Sequence, residues 1–279
     1  MPTEQALPDG LDGVLWLPDE APRAAVLVVA GSSGRIDHDR TRVLAEHGAL
    51  AASIRWFGGV GQSPGICEIP LETFTAALDE LRRYDPPRLA MVGVSKGAEA
   101  ALLVAGRYRL DHVLAVSPSS VVWANVGPGA DGWGTPYRSS WTWRGEPLAF
   151  VPYDDTWPEP QPPVACRSLY ERSLAAYPAE VAAAAIPVGH IDCDVTLVAG
   201  ADDEMWPSDL FARQLAARRR AAGRPVTVLA SDTAGHRPYF PGEPEPAASP
   251  RFRYGGDPAA DAELGARAFD RLRTAIGLD

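Results

Sequence analysis

A serine between two glycines is the residue best placed for nucleophilic chemistry in this chain. Gly93, Ser95 and Gly97 form the pattern Gly-x-Ser-x-Gly, which follows an apolar run and precedes a segment rich in alanine and leucine. In a sharp turn from a strand into a helix, the serine adopts a strained backbone conformation, and glycines on either side avoid collisions with the crossing elements. The first N–H groups of the helix would face a developing oxyanion. We therefore predict that Ser95 is a nucleophile.

An acid and a histidine follow the serine along the chain, each after a further apolar run. A serine hydroxyl needs a base to accept its proton, and a carboxylate must hold that base in the correct tautomer. His236, which comes after a predicted strand and a glycine, is the candidate base. The spacing of Gly200, Asp203 and Pro207 favours Asp203 as the acid, and Asp202 is the alternative. The other histidines lack this context, and we expect them to be structural: His38, His47, His112 and His190.

Two backbone N–H groups are needed to stabilise an oxyanion, and two turns of the chain could supply them. One donor is predicted to be the N–H of Lys96, next to the nucleophile. The other is predicted in the turn Gly31-Ser32-Ser33-Gly34, where we favour the N–H of Ser32, with Ser33 next. A plain glycine turn is the alternative for this segment. We expect the Lys96 side chain to be solvated rather than catalytic.

The elements that must position these residues alternate between strands and helices. Such alternation, with apolar strands buried on both faces, indicates the α/β class with a mostly parallel central sheet and helices on both faces. Functional groups of such sheets lie past the carboxyl ends of strands, and the chain order serine, acid, histidine is that of the α/β-hydrolase fold. The predicted strands are 13–17, 24–30, 50–57, 89–92, 112–116, 193–200 and 225–229. The predicted helices are 37–47, 71–84, 96–107, 207–222 and 257–276, with a further short helix around 169–177 that Pro178 ends.

A stretch rich in tryptophan and proline, residues 119–186, interrupts the alternation. Proline removes the hydrogen-bond donors that a central strand needs, so this stretch supplies no strand to the middle of the sheet. Its aromatic content argues against a disordered linker. We interpret it as an ordered lid or substrate pocket, embedded in a single domain spanning 1–279. Its tryptophans are predicted to line an apolar substrate pocket: Trp123, Trp133, Trp141 and Trp143.

Composition narrows the partners that the chain can have. The formal net charge of −10 and the pI near 5.0 argue against a nucleic-acid partner. Three cysteines show no metal or redox spacing, and no dinucleotide fingerprint is present. The start of the chain has no signal-peptide pattern, and no apolar run reaches membrane-spanning length. We expect a cytoplasmic protein with a small-molecule substrate, without metal, cofactor or membrane span.

Several motifs resemble the acyl-CoA thioesterase / bile acid-CoA:amino acid N-acyltransferase family. The resemblance covers most of residues 23–279 and thins out between about 123 and 185. It implies a dienelactone-hydrolase-like catalytic domain of the α/β-hydrolase superfamily and a CoA thioester substrate. The motifs are Gly93-Val94-Ser95-Lys96-Gly97-Ala98-Glu99, Trp56-Phe57-Gly58, Pro70-Leu71-Glu72-x-Phe74, Gly200-x-Asp202-Asp203-x-x-Trp206, Gly235-His236-x-Pro238-Tyr239-Phe240-Pro241 and Tyr254-Gly255-Gly256-Asp257-Pro258.

The nucleophile departs from one branch of this family. The acyltransferase branch uses cysteine, whereas this chain has Ser95, which favours hydrolysis by water through an acyl-serine intermediate. The alternatives are acyl transfer to an amine or alcohol, a carboxylesterase or lactonase that does not use CoA, and a catalytically silent homologue that binds a ligand. Arg35 and Arg55 lie near strand ends and could meet a CoA phosphate, although exposed arginines usually have no such role.

Overall fold

One eight-stranded sheet forms the centre of the molecule in the computed structural model, which describes residues 1–279. Its strands are β1 (Thr3–Ala6), β2 (Gly13–Leu17), β3 (Ala24–Val29), β4 (Ala49–Ile54), β6 (Leu89–Val94), β7 (His112–Val116), β10 (Asp194–Gly200) and β11 (Thr227–Ser231). The order across the sheet is β1-β2-β4-β3-β6-β7-β10-β11, and β2 runs antiparallel to both of its neighbours while the other pairs are parallel. The predicted α/β-hydrolase class with a mostly parallel sheet is confirmed.

Helices cover both faces of this sheet, because its apolar strands bury side chains on each side. Along β3, Leu27 points into the larger core while Val26 and Val28 point into the smaller one. Helices α2, α3 and α6 pack on the larger core, and α1 and α7 pack on the smaller one. These helices are α1 (His38–Glu46), α2 (Glu72–Arg82), α3 (Lys96–Ala105), α6 (Ser208–Ala221) and α7 (Pro258–Ile276). None of the helices combines the length and the apolar character that crossing a membrane requires.

Local capping residues set several helix ends. The Asp37 side chain accepts a hydrogen bond from the backbone N–H of Arg40 and so begins α1. The Asp257 side chain accepts from the N–H groups of Ala259 and Ala260 at the start of α7, and Gly277 ends that helix in the left-handed conformation. Such caps satisfy backbone groups that a helix end leaves free, which explains why helix ends could be located in the sequence.

The segment between β7 and β10 packs against the larger core. It contains α4 (Arg167–Ala176) and α5 (Pro178–Ala183), together with β8 (Trp141–Trp143) and β9 (Glu146–Pro147), which join β5 (Ile69–Pro70) in a separate three-stranded sheet. Buried side chains of the segment, among them Val121 and Val151, belong to the larger core. We call residues 119–186 the insertion. Because its buried side chains are part of the core, the insertion is an ordered element of the fold rather than a loose linker.

Strand β1 has no counterpart among the predicted elements. All four of its residues are exposed, and it pairs only with β2 at the edge of the sheet. An edge strand without a buried face has no alternation of apolar and polar residues by which it could be recognised. Strands β8 and β9 were also not predicted, since they are three and two residues long.

Candidate active site

Ser95 lies in a strained turn between β6 and α3. Its φ of 57° and ψ of −121° place it in a region that side chains other than glycine rarely adopt. Its N–H donates to the carbonyl oxygen of Val116 at 2.9 Å, which ties the turn to the end of β7. A Cβ on Gly93 would collide with the carbonyl of Gly97, and a Cβ on Gly97 would collide with the carbonyl of Val29. The two flanking glycines therefore allow the strand, the helix and β3 to approach one another.

Asp203 and His236 form a buried pair past the ends of β10 and β11. The Asp203 Oδ2 atom lies 2.8 Å from Nδ1 of His236, and both side chains are almost completely buried. The other carboxylate oxygen of Asp203 accepts from the N–H groups of Met205 at 2.9 Å and Trp206 at 3.2 Å. Asp202 is exposed and accepts from the N–H of Gly256 at 3.0 Å. Of the two acids that the sequence left open, Asp203 contacts the histidine.

Three residues that the sequence analysis did not assign to the site surround His236. The backbone N–H of His236 donates to the carbonyl of Tyr254 at 3.0 Å, and the ring of Tyr254 stacks on the imidazole with centroids 6.0 Å apart. The Ser117 hydroxyl donates to the carbonyl of His236 at 2.9 Å. The Trp206 ring meets the imidazole edge-on at 5.8 Å. Ser117 follows β7 and Trp206 follows β10, so their positions past strand ends could have identified both as candidate site residues.

The first turn of α7 holds the loop before His236. The carboxylate of Asp261 accepts a hydrogen bond from the N–H of Gly235 at 2.7 Å. Burial raises the pKa of the Asp261 carboxyl above its ordinary value. The guanidinium of Arg237 lies over the Tyr254 ring at 3.9 Å. These contacts fix the backbone on both sides of the imidazole.

The turn after β3 lies directly against Ser95. A Cβ on Gly31 would lie 2.9 Å from Cβ of Ser95 and 3.4 Å from its hydroxyl oxygen. Ser32 and Ser33, the two residues considered as donors, are exposed in this turn. On the other side, Lys96 is the first residue of α3, where a backbone N–H has no acceptor within the helix. The assignment of the Lys96 and Ser32 N–H groups as oxyanion donors stays a prediction.

The side chain of Lys96 is not solvated, and the expectation that it would be was wrong. It is 2% exposed, and its Nζ lies 2.9 Å from Oε2 of Glu99, which is fully buried. The ring of Trp141 covers the ammonium group at 5.5 Å. An unpaired lysine would avoid this environment, but a counter-charge one turn along the same helix allows the burial.

The four tryptophans do not line a common pocket, which corrects a second expectation. Trp123 and Trp141 are completely buried, whereas Trp133 is 70% exposed. Trp143 is partly buried and lies against the guanidinium groups of Arg107 at 5.8 Å and Arg144 at 5.7 Å. Buried acceptors explain the positions of the first two, since the indole N–H groups donate to Ser119 Oγ at 2.9 Å and to Glu99 Oε1 at 2.7 Å, respectively.

The remaining charged candidates are paired locally. Arg35 donates to Asp37 at 3.3 Å, and Arg55 lies 3.0 Å from Asp12. No group of three or more histidine, cysteine, aspartate or glutamate side chains is placed to hold a metal ion, and the three cysteines are unpaired.

Comparison with known proteins finds similarity to the family that the motifs resemble. Residues 165–273 match the family described as BAAT / Acyl-CoA thioester hydrolase C terminal. The sequence is 25% identical to acyl-coenzyme A thioesterase 6 of Homo sapiens, over 92% of this chain and 60% of that protein. The Mus musculus acyl-coenzyme A thioesterase 6 is also 25% identical, over 89% of this chain and 58% of that protein. The chain thus spans about 60% of the length of these relatives.

Solved structures share the fold over the whole chain. A Klebsiella pneumoniae protein assigned as a dienelactone hydrolase has a TM-score of 0.56 at 16% identity, with 99% of this chain and 98% of that one covered. The esterase domain of a Rhodothermus marinus protein has a TM-score of 0.55 at 15% identity, with 99% and 100% covered. At such identities the likeness establishes the fold, and the chemistry has to be argued from the residues.

Proposed function

We propose that the chain hydrolyses an acyl thioester or ester through an acyl-serine intermediate on Ser95. It has the α/β-hydrolase fold, and residues 165–273 are similar to the BAAT / acyl-CoA thioester hydrolase family. The observation that carries the proposal is the buried contact of 2.8 Å between Asp203 and His236. Both residues follow strands of the parallel part of the sheet, and Ser95 follows another strand of the same part. The carboxyl ends of parallel strands meet at one edge, which is where such sheets carry out chemistry.

The first half of the reaction is the acylation of the serine. Asp203 accepts the Nδ1–H of His236, which leaves Nε2 free to take the proton of the Ser95 hydroxyl. The serine oxygen then bonds to the acyl carbon, and the carbonyl oxygen becomes an oxyanion facing the backbone N–H groups of Lys96 and Ser32. As the carbon–sulfur or carbon–oxygen bond breaks, the imidazolium returns its proton to the thiolate or alkoxide that leaves.

The second half of the reaction is the hydrolysis of the acyl-serine. Nε2 of His236 takes a proton from water, and the resulting hydroxide oxygen bonds to the acyl carbon. The same backbone donors stabilise the second oxyanion. The carboxylic acid leaves when the imidazolium returns the proton to the Ser95 oxygen, which restores the free enzyme.

A fluorophosphonate probe tests the nucleophile without knowledge of the natural substrate. We expect the probe to label the wild-type protein and to leave Ser95→Ala unlabelled, because only an activated serine attacks phosphorus at a useful rate. Ser168→Ala, at an exposed serine of α4, is the control and should be labelled as the wild type is. Absence of label on the folded wild-type protein would refute the proposal.

A substrate panel then separates hydrolysis from its alternatives. Acyl-CoAs, p-nitrophenyl esters and lactones would be compared, with and without an added amine. Free acid as the main product in the presence of the amine supports a hydrolase. An amide formed faster than the acid would mean that the chain is an acyltransferase.

A further inference from the structure

The only lysine of the chain is Lys96, and it lies in a buried ion pair next to the proposed nucleophile. Its Nζ is 3.1 Å and 2.9 Å from the two carboxylate oxygens of Glu99. Burial lowers the pKa of the Lys96 ammonium and raises that of the Glu99 carboxyl, so each charge depends on the other. Taking two charges out of water is costly, and apolar residues of similar size would often be as stable. The pair therefore calls for an explanation other than stability.

The proposed mechanism does not use these two side chains. The Lys96 ammonium hydrogen-bonds only to Glu99, and neither group hydrogen-bonds to Asp203 or His236. The function of the pair has to lie in its other contacts.

Those contacts come from the insertion. Oε1 of Glu99 accepts the indole N–H of Trp141 at 2.7 Å and the backbone N–H of Trp123 at 3.1 Å. One carboxylate of the helix that begins after Ser95 thus holds two separate parts of the insertion. Lys96 supplies the positive charge that allows this acceptor to stay ionised while it is buried.

A row of aromatic rings leads from Trp123 back to the proposed base. The Trp123 ring stacks on Tyr153 at 5.8 Å and meets Tyr170 edge-on at 4.8 Å. Tyr170 meets Trp206 edge-on at 5.4 Å, and Trp206 meets His236 at 5.8 Å. Tyr153 and Tyr170 are partly exposed, whereas Trp123 behind them is fully buried. The two tyrosines are therefore accessible members of the row that ends at the proposed base, a place suited to the apolar wall of a binding site.

We propose that Glu99 is a positioning residue for the acyl subsite: its carboxylate, neutralised by Lys96, anchors the insertion to α3 so that Tyr153 and Tyr170 form the wall against which an apolar acyl group binds. This role rests on the proposed hydrolysis of acyl thioesters or esters. It assigns the recognition of the acyl group to two tyrosines held by a buried carboxylate.

Two double variants test whether Glu99 anchors the insertion. Each of them removes both buried charges, that of Lys96 and that of Glu99. Lys96→Met/Glu99→Gln keeps an oxygen acceptor for the two tryptophan N–H groups, whereas Lys96→Met/Glu99→Leu leaves both N–H groups without one. The readout is kcat/KM for p-nitrophenyl hexanoate divided by that for p-nitrophenyl acetate. We expect the Gln variant to stay within about twofold of the wild-type ratio and the Leu variant to fall about tenfold, mainly through KM for the hexanoate.

A matched control separates this effect from a loss of stability. Leu272→Ala removes a buried side chain of α7 on the opposite face of the sheet, so it lowers stability without touching the anchor. Its hexanoate-to-acetate ratio should equal that of the wild type. The positioning role is overturned if the two double variants have equal hexanoate-to-acetate ratios. This holds whether both ratios are near the wild-type value or both are lowered. If the wild-type protein hydrolyses neither ester, the proposed function itself fails.

The single lysine also gives a spectroscopic readout that is independent of activity. Protein labelled with 15N-lysine carries one side-chain ammonium group, that of Lys96. We expect one Nζ resonance with hydrogens that exchange slowly with water in the wild type, and its loss in Glu99→Gln. An ammonium group that exchanges as fast as free lysine in the wild-type protein would contradict the anchor.

Discussion

Two adjacent aspartates in the loop after β10 have different environments, and the difference determines what each can do. Asp203 is buried against His236, while Asp202 is exposed and bonds to the backbone of Gly256. In Asp203→Asn, the amide N–H₂ would donate to Nδ1 and hold the wrong tautomer of the imidazole. We therefore expect kcat for p-nitrophenyl acetate to fall by about four orders of magnitude with the fold retained.

Asp202→Asn serves as the matched control, because it makes the same replacement of one carboxylate oxygen by an NH2 group in the neighbouring side chain. Its kcat should stay within a few-fold of the wild-type value, and the circular dichroism of both variants should match that of the wild type. A larger loss of kcat in Asp202→Asn than in Asp203→Asn would reverse the assignment of the two acids.

At the level of single residues, the sequence was informative where chain order and spacing carry the signal. Asp203 and His236 could be proposed because each follows a recognisable strand. The burial of Lys96 could not be foreseen, since it depends on Trp141, which reaches Glu99 from 42 residues further along the chain. The prediction that Trp123 and Trp141 line a pocket was wrong for the same reason. Their acceptors lie on other elements, and composition does not reveal such pairs.

At the level of elements, the nucleophile turn depends on how closely α3 approaches β3. A Cβ on Gly97 would meet the carbonyl oxygens of both Val29 and Ala30. We expect Gly97→Ala to lower the free energy of unfolding by more than about 2 kcal/mol, because backbone atoms cannot move aside as a flexible side chain can. Urea denaturation would measure the change.

Gly106 at the other end of α3 is the control for that substitution. It has a φ of −78°, and an added Cβ would come no closer than 3.7 Å to another atom. Gly106→Ala should therefore change the free energy of unfolding by less than about 1 kcal/mol. Equal losses in the two variants would show that the close approach at Gly97 is not the reason for its glycine.

At the edge and in the middle of the sheet, burial decided how clearly a strand showed in the sequence. All residues of β3 and β4 are buried, and their largely apolar sequences identified them within three residues at each end. All residues of strand β1 are exposed, and the strand was not predicted. Helix α5 begins with Pro178 at its first position. Proline is tolerated there, although inside a helix it would end the helix, so the residue alone does not show whether a helix starts or stops.

At the level of the whole molecule, the sheet holds a buried histidine at the end opposite to the proposed site. His112 begins β7, is fully buried, and neither ring nitrogen has a hydrogen-bond partner. Burial, together with the charge of Arg271, lowers the pKa of His112 to about 4, against a smaller opposite effect of Asp194. Between pH 6.5 and 4 the unfolded chain therefore binds a proton at this residue that the folded protein does not.

Stability at His112 must accordingly fall as the pH falls through this range. The loss amounts to about 3 kcal/mol at most. His112→Leu removes the titrating group and leaves no unpaired ring nitrogen, so its free energy of unfolding should depend less on pH between 6.5 and 4 than that of the wild type. Parallel urea titrations at several pH values would measure the difference. Identical pH dependence in the two proteins would contradict the burial of a neutral histidine.

The chain's use of arginine for every cation but one has a practical consequence. In the folded protein the single lysine side chain is buried, so an amine-reactive reagent such as a succinimidyl ester does not reach its amine. Unfolding exposes this amine, so the fraction of chains labelled on Lys96 measures the fraction of molecules that have unfolded.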